Sequence, residues 1–315
     1  MSKIILFLKN WTLPVSIVAG ICGYYLYTAL PFLDDTHAFA NKAVGVIQPM
    51  LIFAMLFLTF CKIKFSSLHF TRWHLWLILM QALSFVSCVW ICTLPLPLLW
   101  KVSVECFMLC MICPTATAAA VVTFKLGGNS ATLTTYTILI NLVVALIVPA
   151  LIPVLHPSAE FGFLTSFLLI ISKVFPLLFC PFLLAMILRW LNPRITEWFA
   201  SYRNLPFYLW AVALMLAIAV TMKTIVHTKC SVTLMLLIAA ASAIACAIQF
   251  SFGRFVGRRY REPVSAAQSL GQKNTVFAIW LGYTFMSPIT SLAGGFYSIW
   301  HNVYNSWQLY RKRQQ

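Results

Sequence analysis

The chain has 315 residues, of which 62% are hydrophobic and 9% are charged. Soluble domains carry roughly 25% charged residues, so this composition excludes a sizeable soluble domain and predicts an all-α polytopic membrane protein. The formal net charge of +16 does not indicate nucleic-acid binding, because most basic residues lie in short loops between apolar segments and no nucleic-acid-binding motif is present.

Ten apolar segments in chain order predict ten transmembrane helices. The first five run about 11–30, 43–61, 74–96, 98–126 and 130–155. The second five run about 163–188, 206–226, 230–253, 263–287 and 288–308. The first is interpreted as a retained span because no signal-peptide cleavage site follows it. The polar and aromatic connector at 189–204 is expected to lie at the membrane interface.

Basic residues test this count of spans. Sixteen lysines and arginines fall in the terminal segments and in the loops that ten spans would place on the same side, against four on the opposite side. Positive residues concentrate on the cytoplasmic side. The sequence therefore predicts a multi-pass protein of the cell (inner) membrane with both termini in the cytoplasm.

Two spans carry a helix-breaking residue near their middle. In the fourth span, Pro114 follows Cys113 and removes a backbone donor. In the ninth span, Gly271 supplies a flexible point within the polar run 269–275. Lipid offers no hydrogen-bonding partner, so polar groups at this depth indicate a broken helix that lines a cavity.

The two breaks occupy corresponding places in the two halves of the chain, each 17 residues before the next predicted span. Five spans per half would give the halves opposite orientations. The pattern predicts one membrane transporter domain made of two inverted five-helix repeats, residues 1–157 and 158–315, in which broken helices 4 and 9 cross. Coincidence is the alternative, because proline and glycine are common in membrane spans.

Polar residues at the breaks are the candidate substrate-binding residues: Thr115, Thr117, Gln272, Lys273, Asn274 and Thr275. The two threonines would serve equally well as backbone caps. An ionisable residue deep in a span is a functional candidate by default, which applies to Lys273. The alternative for Lys273 is a side chain that reaches the membrane surface from a helix end.

Roles can also be predicted for polar residues away from the breaks. Gln81 would bond a neighbouring helix or reach the cavity, and Asn141 is expected to bond between helices. Lys101 and Glu105, four residues apart, predict a local ion pair. His227 and His301 are expected at the membrane interface. Lys173 has no assigned role.

The sequence lacks the motifs of several enzyme classes. The sequence has no Walker A motif, no HExxH and no Gly-x-Ser-x-Gly. The ten cysteines are scattered without metal-ligand spacing, so no metal site is predicted. No carboxylate lies at mid-span. An enzyme is therefore not expected and no cofactor is predicted, with a sodium ion kept as an alternative.

These features resemble the bile acid:sodium symporter family in the number and order of spans over nearly the whole chain. The likeness is sharpest at Cys113-Pro114 with Thr117, at Gly128-Asn129, and at Gly271 with Asn274-Thr275. The resemblance implies a panel domain and a core domain, with the core holding the crossing of spans four and nine. It also implies transport of bile acids or other organic anions, usually with sodium.

The positions that the resemblance equates with the family's sodium sites are mostly altered. They are Gln81, Ala119, Ala120, Leu133, Thr137, Ser269 and Lys273. The family's oxygen-bearing side chains are replaced here by two alanines, a leucine, a serine and a lysine, whereas Gln81 and Thr137 are kept. Sodium requires hard oxygen ligands, so the hypothesis is that Lys273 stands in for the cation.

The leading prediction is a sodium-independent secondary transporter of a bile-acid-like or small organic anion. A sodium-coupled organic anion symporter is the runner-up, and an arsenite permease with Cys113 as a soft ligand is a further alternative. A membrane ligand sensor that does not transport is the alternative from another class. The expected partners are the organic anion and the lipid bilayer, with no nucleic acid and no protein partner.

Overall fold

The computed structural model describes residues 12–63, 66, 68–157, 160–202, 204–228 and 230–314. Five lysines and arginines of the charge count lie outside these residues: Lys3, Lys9, Lys64, Arg203 and Lys229. Ser158, the predicted first residue of the second repeat, also lies outside them. Across the described ranges every regular element is a helix and none is a strand. The prediction of an all-α protein is confirmed.

The described part of the first half contains six α-helices and a 3₁₀ helix at Pro31–Thr36. The α-helices are α1 Thr12–Ala29, α2 His37–Cys61, α3 Arg72–Thr93, α4 Leu98–Ile112, α5 Ala119–Lys125 and α6 Ser130–Leu155. Helix α2 continues directly from the 3₁₀ helix. Helices α4 and α5 share the predicted fourth span and are separated by an extended stretch.

The described part of the second half contains eight further α-helices. They are α7 Phe163–Leu178, α8 Cys180–Leu191, α9 Pro193–Ser201, α10 Leu205–His227, α11 Val232–Arg259, α12 Pro263–Gly271, α13 Thr275–Phe285 and α14 Pro288–Arg313. Helices α12 and α13 share the predicted ninth span, and α9 occupies the predicted interfacial connector.

Within the described residues, five continuous helical segments are long and apolar enough to cross a membrane: Pro31–Cys61, Arg72–Thr93, Ser130–Leu155, Leu205–His227 and Val232–Arg259. Helices α7 and α8 make a sixth candidate, bent by 45° at their junction. Pro181, in the first turn of α8, cannot donate a backbone hydrogen bond to the preceding turn, which explains the bend. The chain is a polytopic helical membrane protein.

The innermost segment of the bundle is the broken pair α12–α13. Every residue from 265 to 282 is buried, including the polar residues at the break. A helix that is covered on all sides belongs to the core of a bundle. Helix α12 packs on α11 and α13 packs on α14, while α4 packs on α3, α11 and α14. The pair α12–α13 and the first break, residues 108–115, therefore lie inside the protein, whereas Val121 and Phe124 of α5 are exposed.

The break in the second segment fits its surroundings closely. A Cβ atom on Gly271 would lie 2.4 Å from Cγ of Phe250, a buried ring on α11. That separation is far below van der Waals contact, so only glycine fits while the ring keeps its place.

We predict that Gly271→Ala lowers the thermal midpoint of the detergent-solubilised protein, because overpacking in a tight core costs about 1–3 kcal/mol. Gly23→Ala on α1 is the matched control. A Cβ at Gly23 meets nothing within 4 Å, and Gly→Ala in a helix gains about 0.5–1 kcal/mol. Equal midpoints for the two variants would contradict this packing.

Candidate functional site

The extended stretches of the two broken segments meet and run antiparallel. Thr115 and Lys273 form an isolated antiparallel β-bridge. The backbone N–H of Ala116 donates to the carbonyl of Gln272 at 2.8 Å, and that of Asn274 donates to the carbonyl of Pro114 at 2.9 Å. Backbone groups left free by one break are thus satisfied by the other, as an apolar interior demands. We call this contact the crossing.

Local sequence explains where the helices stop and restart. Pro114 disfavours helical geometry in the residue before it, and Cys113 is extended at φ −51° and ψ 138°. Gln272 is extended after α12 ends. Asn274 then caps α13, because its side-chain oxygen accepts from the backbone N–H of Phe277 at 3.2 Å.

A glutamine and a tyrosine support the first break. The amide nitrogen of Gln81, on α3, donates to the carbonyls of Ile112 (2.7 Å) and Cys113 (2.9 Å). Its amide oxygen accepts from the hydroxyl of Tyr136, on α6, at 3.1 Å. Gln81 therefore bonds neighbouring helices, and its oxygen is already engaged within the protein.

The second break has a corresponding pair. The hydroxyl of Tyr297, on α14, donates to the carbonyl of Gly271 at 2.8 Å. The amide nitrogen of Gln249, on α11, donates to that hydroxyl at 3.0 Å. Two breaks in two halves of the chain are thus each held by one glutamine and one tyrosine from the flanking helices. The sequence analysis missed Gln249 and both tyrosines, which have no distinctive local motif.

Five of the six candidate substrate-binding residues are buried at the crossing: Thr115, Gln272, Lys273, Asn274 and Thr275. The hydroxyl of Thr115 donates to the carbonyl of Ser269 at 2.6 Å, so it serves as a backbone partner. The sixth, Thr117, is half-buried in the stretch before α5. The amide oxygen of Gln272 and the hydroxyl of Ser269 have no hydrogen-bond partner among the described residues.

Lys273 is the most unusual of these residues, because its side chain is only 1% exposed. Within the described residues its ammonium nitrogen has no hydrogen-bond partner and no carboxylate in ion-pair range. An unpaired buried ammonium costs several kcal/mol, so this position favours an anionic partner or a neutral amine.

The other sodium-site equivalents offer few ligands. Ala119 and Leu133 are buried and Ala120 is half-buried, and none of them has a side-chain oxygen. The hydroxyl of Thr137 donates to the carbonyl of Leu133 within its own helix at 3.0 Å. No group of three or more His, Cys, Asp or Glu side chains suited to a metal occurs in the described part of the chain.

Three expectations for single residues are wrong. Glu105 does not pair with Lys101: its carboxylate accepts from the hydroxyl of Thr290 at 3.2 Å and lies 3.5 Å from His156, since it faces α14 instead of its own helix surface. His301 is buried against the ring of Tyr297 and is not interfacial. Neither amide atom of Asn141 has a partner among the described residues.

Two glutamate–threonine contacts join the halves of the chain in both directions. Glu105, on α4, accepts from Thr290 in the first turn of α14. Glu262, just before α12, accepts from Thr132 in the first turn of α6. Glu105 lies nine residues before Pro114, and Glu262 lies nine before Gly271. This equal spacing was visible in the sequence and could have identified the pair.

Lys173, left without a role from the sequence, is exposed on α7, and its ammonium group lies 5.7 Å from the centre of the Phe285 ring. This distance is within the range of a cation–π contact. Lys173 is therefore a surface lysine that packs on the end of α13. In this it differs from Lys273, which is buried.

A cavity of about 900 Å³ lies between α1, α2, α10 and α13. Its polar lining includes Tyr24, His37, Asn41, Gln48, Lys223 and His227. None of the six candidate substrate-binding residues lines it. His227, expected at the interface, is exposed at this cavity, where its Nδ1 lies 3.5 Å from the hydroxyl of Tyr24.

No protein-family model matches the chain, and no curated protein matches it significantly. The resemblance to bile acid:sodium symporters therefore rests on the order of spans and the two break motifs.

We predict that Gln81→Leu destabilises the protein by about 1–3 kcal/mol, because two buried carbonyls and the Tyr136 hydroxyl lose their partner. Thermal unfolding in detergent measures the change. Ser84→Ala, one turn along α3, is the control, because the Ser84 hydroxyl only bonds a carbonyl of its own helix. A Gln81→Leu midpoint equal to that of the control would contradict the role of Gln81 in supporting the first break.

Proposed function

We propose that this protein is a secondary transporter of an organic anion, with an architecture like that of bile acid:sodium symporters. The observation that supports this proposal is the crossing. There, two helices break inside the protein and each supplies hydrogen-bond partners to the free backbone groups of the other. Broken helices that meet within a bundle form the binding and transport centres of inverted-repeat transporters. The residues at the breaks are buried instead of lining an open pore, which favours a transporter over a channel.

The proposed architecture has ten spans. Helices α4 and α5 form one broken span, α7 and α8 one bent span, and α12 and α13 the second broken span, while α9 lies on the surface. With α1, α2, α3, α6, α10, α11 and α14 this gives two sets of five. Both termini then lie on one side of the cell membrane, which the charge count makes the cytoplasmic side.

Reciprocal contacts support the inverted repeat. Glu105 of the first half bonds Thr290 of the second, and Glu262 of the second half bonds Thr132 of the first. Each threonine lies three residues after the N-cap residue of its helix. A twofold axis in the membrane plane would produce such a pair. The glutamine–tyrosine supports come from corresponding spans but exchange roles, since Gln81 bonds the carbonyls of the first break whereas Tyr297 bonds the carbonyl of the second.

Lys273 supports an anionic substrate and independence from sodium. Among the equivalents of the sodium sites, Ala119, Ala120 and Leu133 lack a side-chain oxygen, and Gln81 and Thr137 are engaged with the protein. Only the hydroxyl of Ser269 is left without a partner among the described residues, which is too few oxygen ligands for sodium. A fixed ammonium at the crossing would repel sodium and attract an anion through the low-dielectric interior. Transport would then proceed by uniport or exchange, or with protons if the amine exchanges one.

The proposed mechanism is alternating access by two bodies. The helices that carry or flank the breaks, α3–α6 and α11–α14, would move as one core against a panel of α1, α2, α7, α8 and α10. The 900 Å³ cavity lies between panel helices and α13 of the core. Movement of the core would close this cavity and expose its contents to the opposite side.

The test is flux in sealed proteoliposomes with a panel of aromatic and aliphatic carboxylates and sulfonates, each under a sodium or a potassium gradient. We expect equal uptake in the two salts, and loss of about tenfold or more of the rate in Lys273→Gln, since a charge-assisted contact is worth this much. Lys173→Gln, which removes an exposed lysine, is the control and should transport normally.

Strong dependence on sodium would overturn the ion-independence and favour the sodium-coupled symporter. Binding without flux of any anion would favour the ligand sensor. Normal flux in Lys273→Gln would remove the lysine from the mechanism.

A second prediction addresses the repeat. Thr132→Val and Thr290→Val each leave a glutamate without its hydroxyl donor, so both should lower the thermal midpoint by comparable amounts, equivalent to about 1–3 kcal/mol. Thr134→Val is the control, because its hydroxyl bonds only its own helix. A large effect in one variant and none in the other would argue against equivalent contacts.

A further inference from the structure

We infer that the inner face of the C-terminal half of α14, together with Gln268 of α12, lines a water-filled path along which protons reach the amine of Lys273 from the C-terminal end of α14. The water in this path does not rest on the transport proposal. The use of the proton to drive transport does rest on it.

The C-terminal half of α14 has polar side chains inside the protein and apolar side chains outside. All of its buried residues after Tyr297 are polar, and they lie three or four residues apart on one helix face: Ser298, His301, Asn305 and Gln308. Its exposed residues include large apolar ones: Ile299, Trp300, Val303 and Trp307. An inner face that served packing alone would be apolar, so this face indicates a hydrated interior.

Most polar atoms on this face are not paired with one another. The amide nitrogen of Gln268 donates to the amide oxygens of Asn305 (2.9 Å) and Gln308 (2.8 Å). Four further atoms have no partner among the described residues: Oε1 of Gln268, Nδ2 of Asn305, Nδ1 of His301 and Oγ of Ser298. A buried unpaired group costs about 1–3 kcal/mol, and ordered water is the usual partner of such groups. A purely structural network would have paired these atoms with each other.

The packing of the helices leaves a gap beside these atoms. Helix α11 packs on both α12 and α14, whereas α12 and α14 approach each other at few points. The long side chain of Gln268 joins the two helices across this separation. The gap that Gln268 bridges is where the waters would lie.

The polar face runs from the end of α14 to the second break. Gln308 lies five residues before Arg313, the last residue of the helix, and the basic side chains there are exposed. The ring of His301 contacts the ring of Tyr297, with centroids 5.6 Å apart. The eleven residues from Gln308 to Tyr297 span roughly 16 Å of helix. The path therefore covers the distance from the helix end to the level of the crossing.

At the crossing the path meets the backbone next to Lys273. The Tyr297 hydroxyl donates to the carbonyl of Gly271, two residues before Lys273. On α12 and just after it, the hydroxyl of Ser269 and the amide oxygen of Gln272 also lack partners among the described residues. These two oxygens and the unpartnered ammonium nitrogen of Lys273 continue the row of unpaired polar atoms into the crossing.

The row of groups is suited to proton transfer. Buried histidines in membrane spans occur in proton relays, and neutral imidazole accepts a proton on one nitrogen and donates one from the other. A proton that enters from water at the end of α14 would pass along the waters and His301. The lone pair of the neutral Lys273 amine then forms the new N–H bond, and the reverse step returns the proton to water.

The other titratable groups around the crossing do not neutralise Lys273. They are buried thiols and phenols, which ordinarily keep their proton at pH 7: Cys110, Cys113, Cys246, Tyr136 and Tyr297. The acids of the neighbouring elements, Glu105 and Glu262, accept from threonines of the opposite half of the chain. The ammonium of Lys273 would therefore form when a substrate anion is present to pair with it, and would release its proton when the anion leaves.

Hydroxyl-radical footprinting of the full chain in phosphatidylcholine nanodiscs tests for the water without any ligand, because ordered water beside a side chain supplies the radical. His74 on α3 is the internal control, since it is buried and both of its ring nitrogens have partners. We expect His301 to be labelled severalfold faster than His74. Equal labelling of the two histidines in the wild-type protein would overturn the path.

The double variant Gln268→Leu/Asn305→Leu should remove the water. Replacing both members of a buried polar pair by apolar groups is nearly neutral or stabilising, so we expect an unchanged or higher thermal midpoint, with His301 labelled as slowly as His74. Asn302→Leu is the matched control, because the Asn302 amide bonds only the Ser298 carbonyl of its own helix. A lower midpoint with unchanged labelling of His301 would favour a structural network and overturn the path.

Proteoliposomes test the role of the proton with the anions that the flux assay identifies. An acid exterior should speed anion uptake by the wild type and by Asn302→Leu. The double variant should lose this stimulation and keep anion exchange at equal pH, which needs no net proton movement. Stimulation retained in the double variant would overturn the proton route. Absence of flux with every anion would overturn transport and the use of the proton, and leave the water-filled path to the footprinting result.

Discussion

The structure depends on one constraint: an apolar interior cannot leave backbone groups without hydrogen-bond partners. Two helices that break in such an interior would each be costly alone. Paired antiparallel at Thr115 and Lys273, they exchange hydrogen bonds from Ala116 to Gln272 and from Asn274 to Pro114. Neither break is satisfied without the other, which couples the two halves of the chain at their centre.

The same coupling is repeated around the crossing by side chains. Gln81 and Tyr136 hold one break, while Gln249 and Tyr297 hold the other. The glutamate–threonine contacts tie the first turns of α6 and α14 to the opposite half. Because buried polar networks rigidify what they join, these contacts hold the helices around the crossing together, whereas Gly23 and Gly45 leave open space at the cavity.

Sequence reasoning identified the all-α membrane class and the positions of Pro114 and Gly271, because both depend on local chemistry: hydropathy, a missing donor and a flexible residue. It could not identify contacts between distant segments. Glu105 was paired with Lys101 on its own helix, whereas tertiary packing places it against Thr290. The cavity was missed for the same reason, since its lining comes from four helices and its glycines carry no local signal.

Helix α13 connects the position of Lys273 to the wall of the cavity. Helix α13 begins two residues after Lys273, and Trp280, which lines the cavity, lies in it. Only the stretch from Thr275 to Trp280 is helical, and five residues of helix span roughly 8 Å. The Asn274 cap and the antiparallel pairing fix the start of this helix at the crossing. The cavity wall at Trp280 is therefore held in place by the same contacts that satisfy the two breaks. A shift of the crossing along α13 would move this wall with it, so the shape of the cavity depends on the crossing even though none of the six candidate residues lines it.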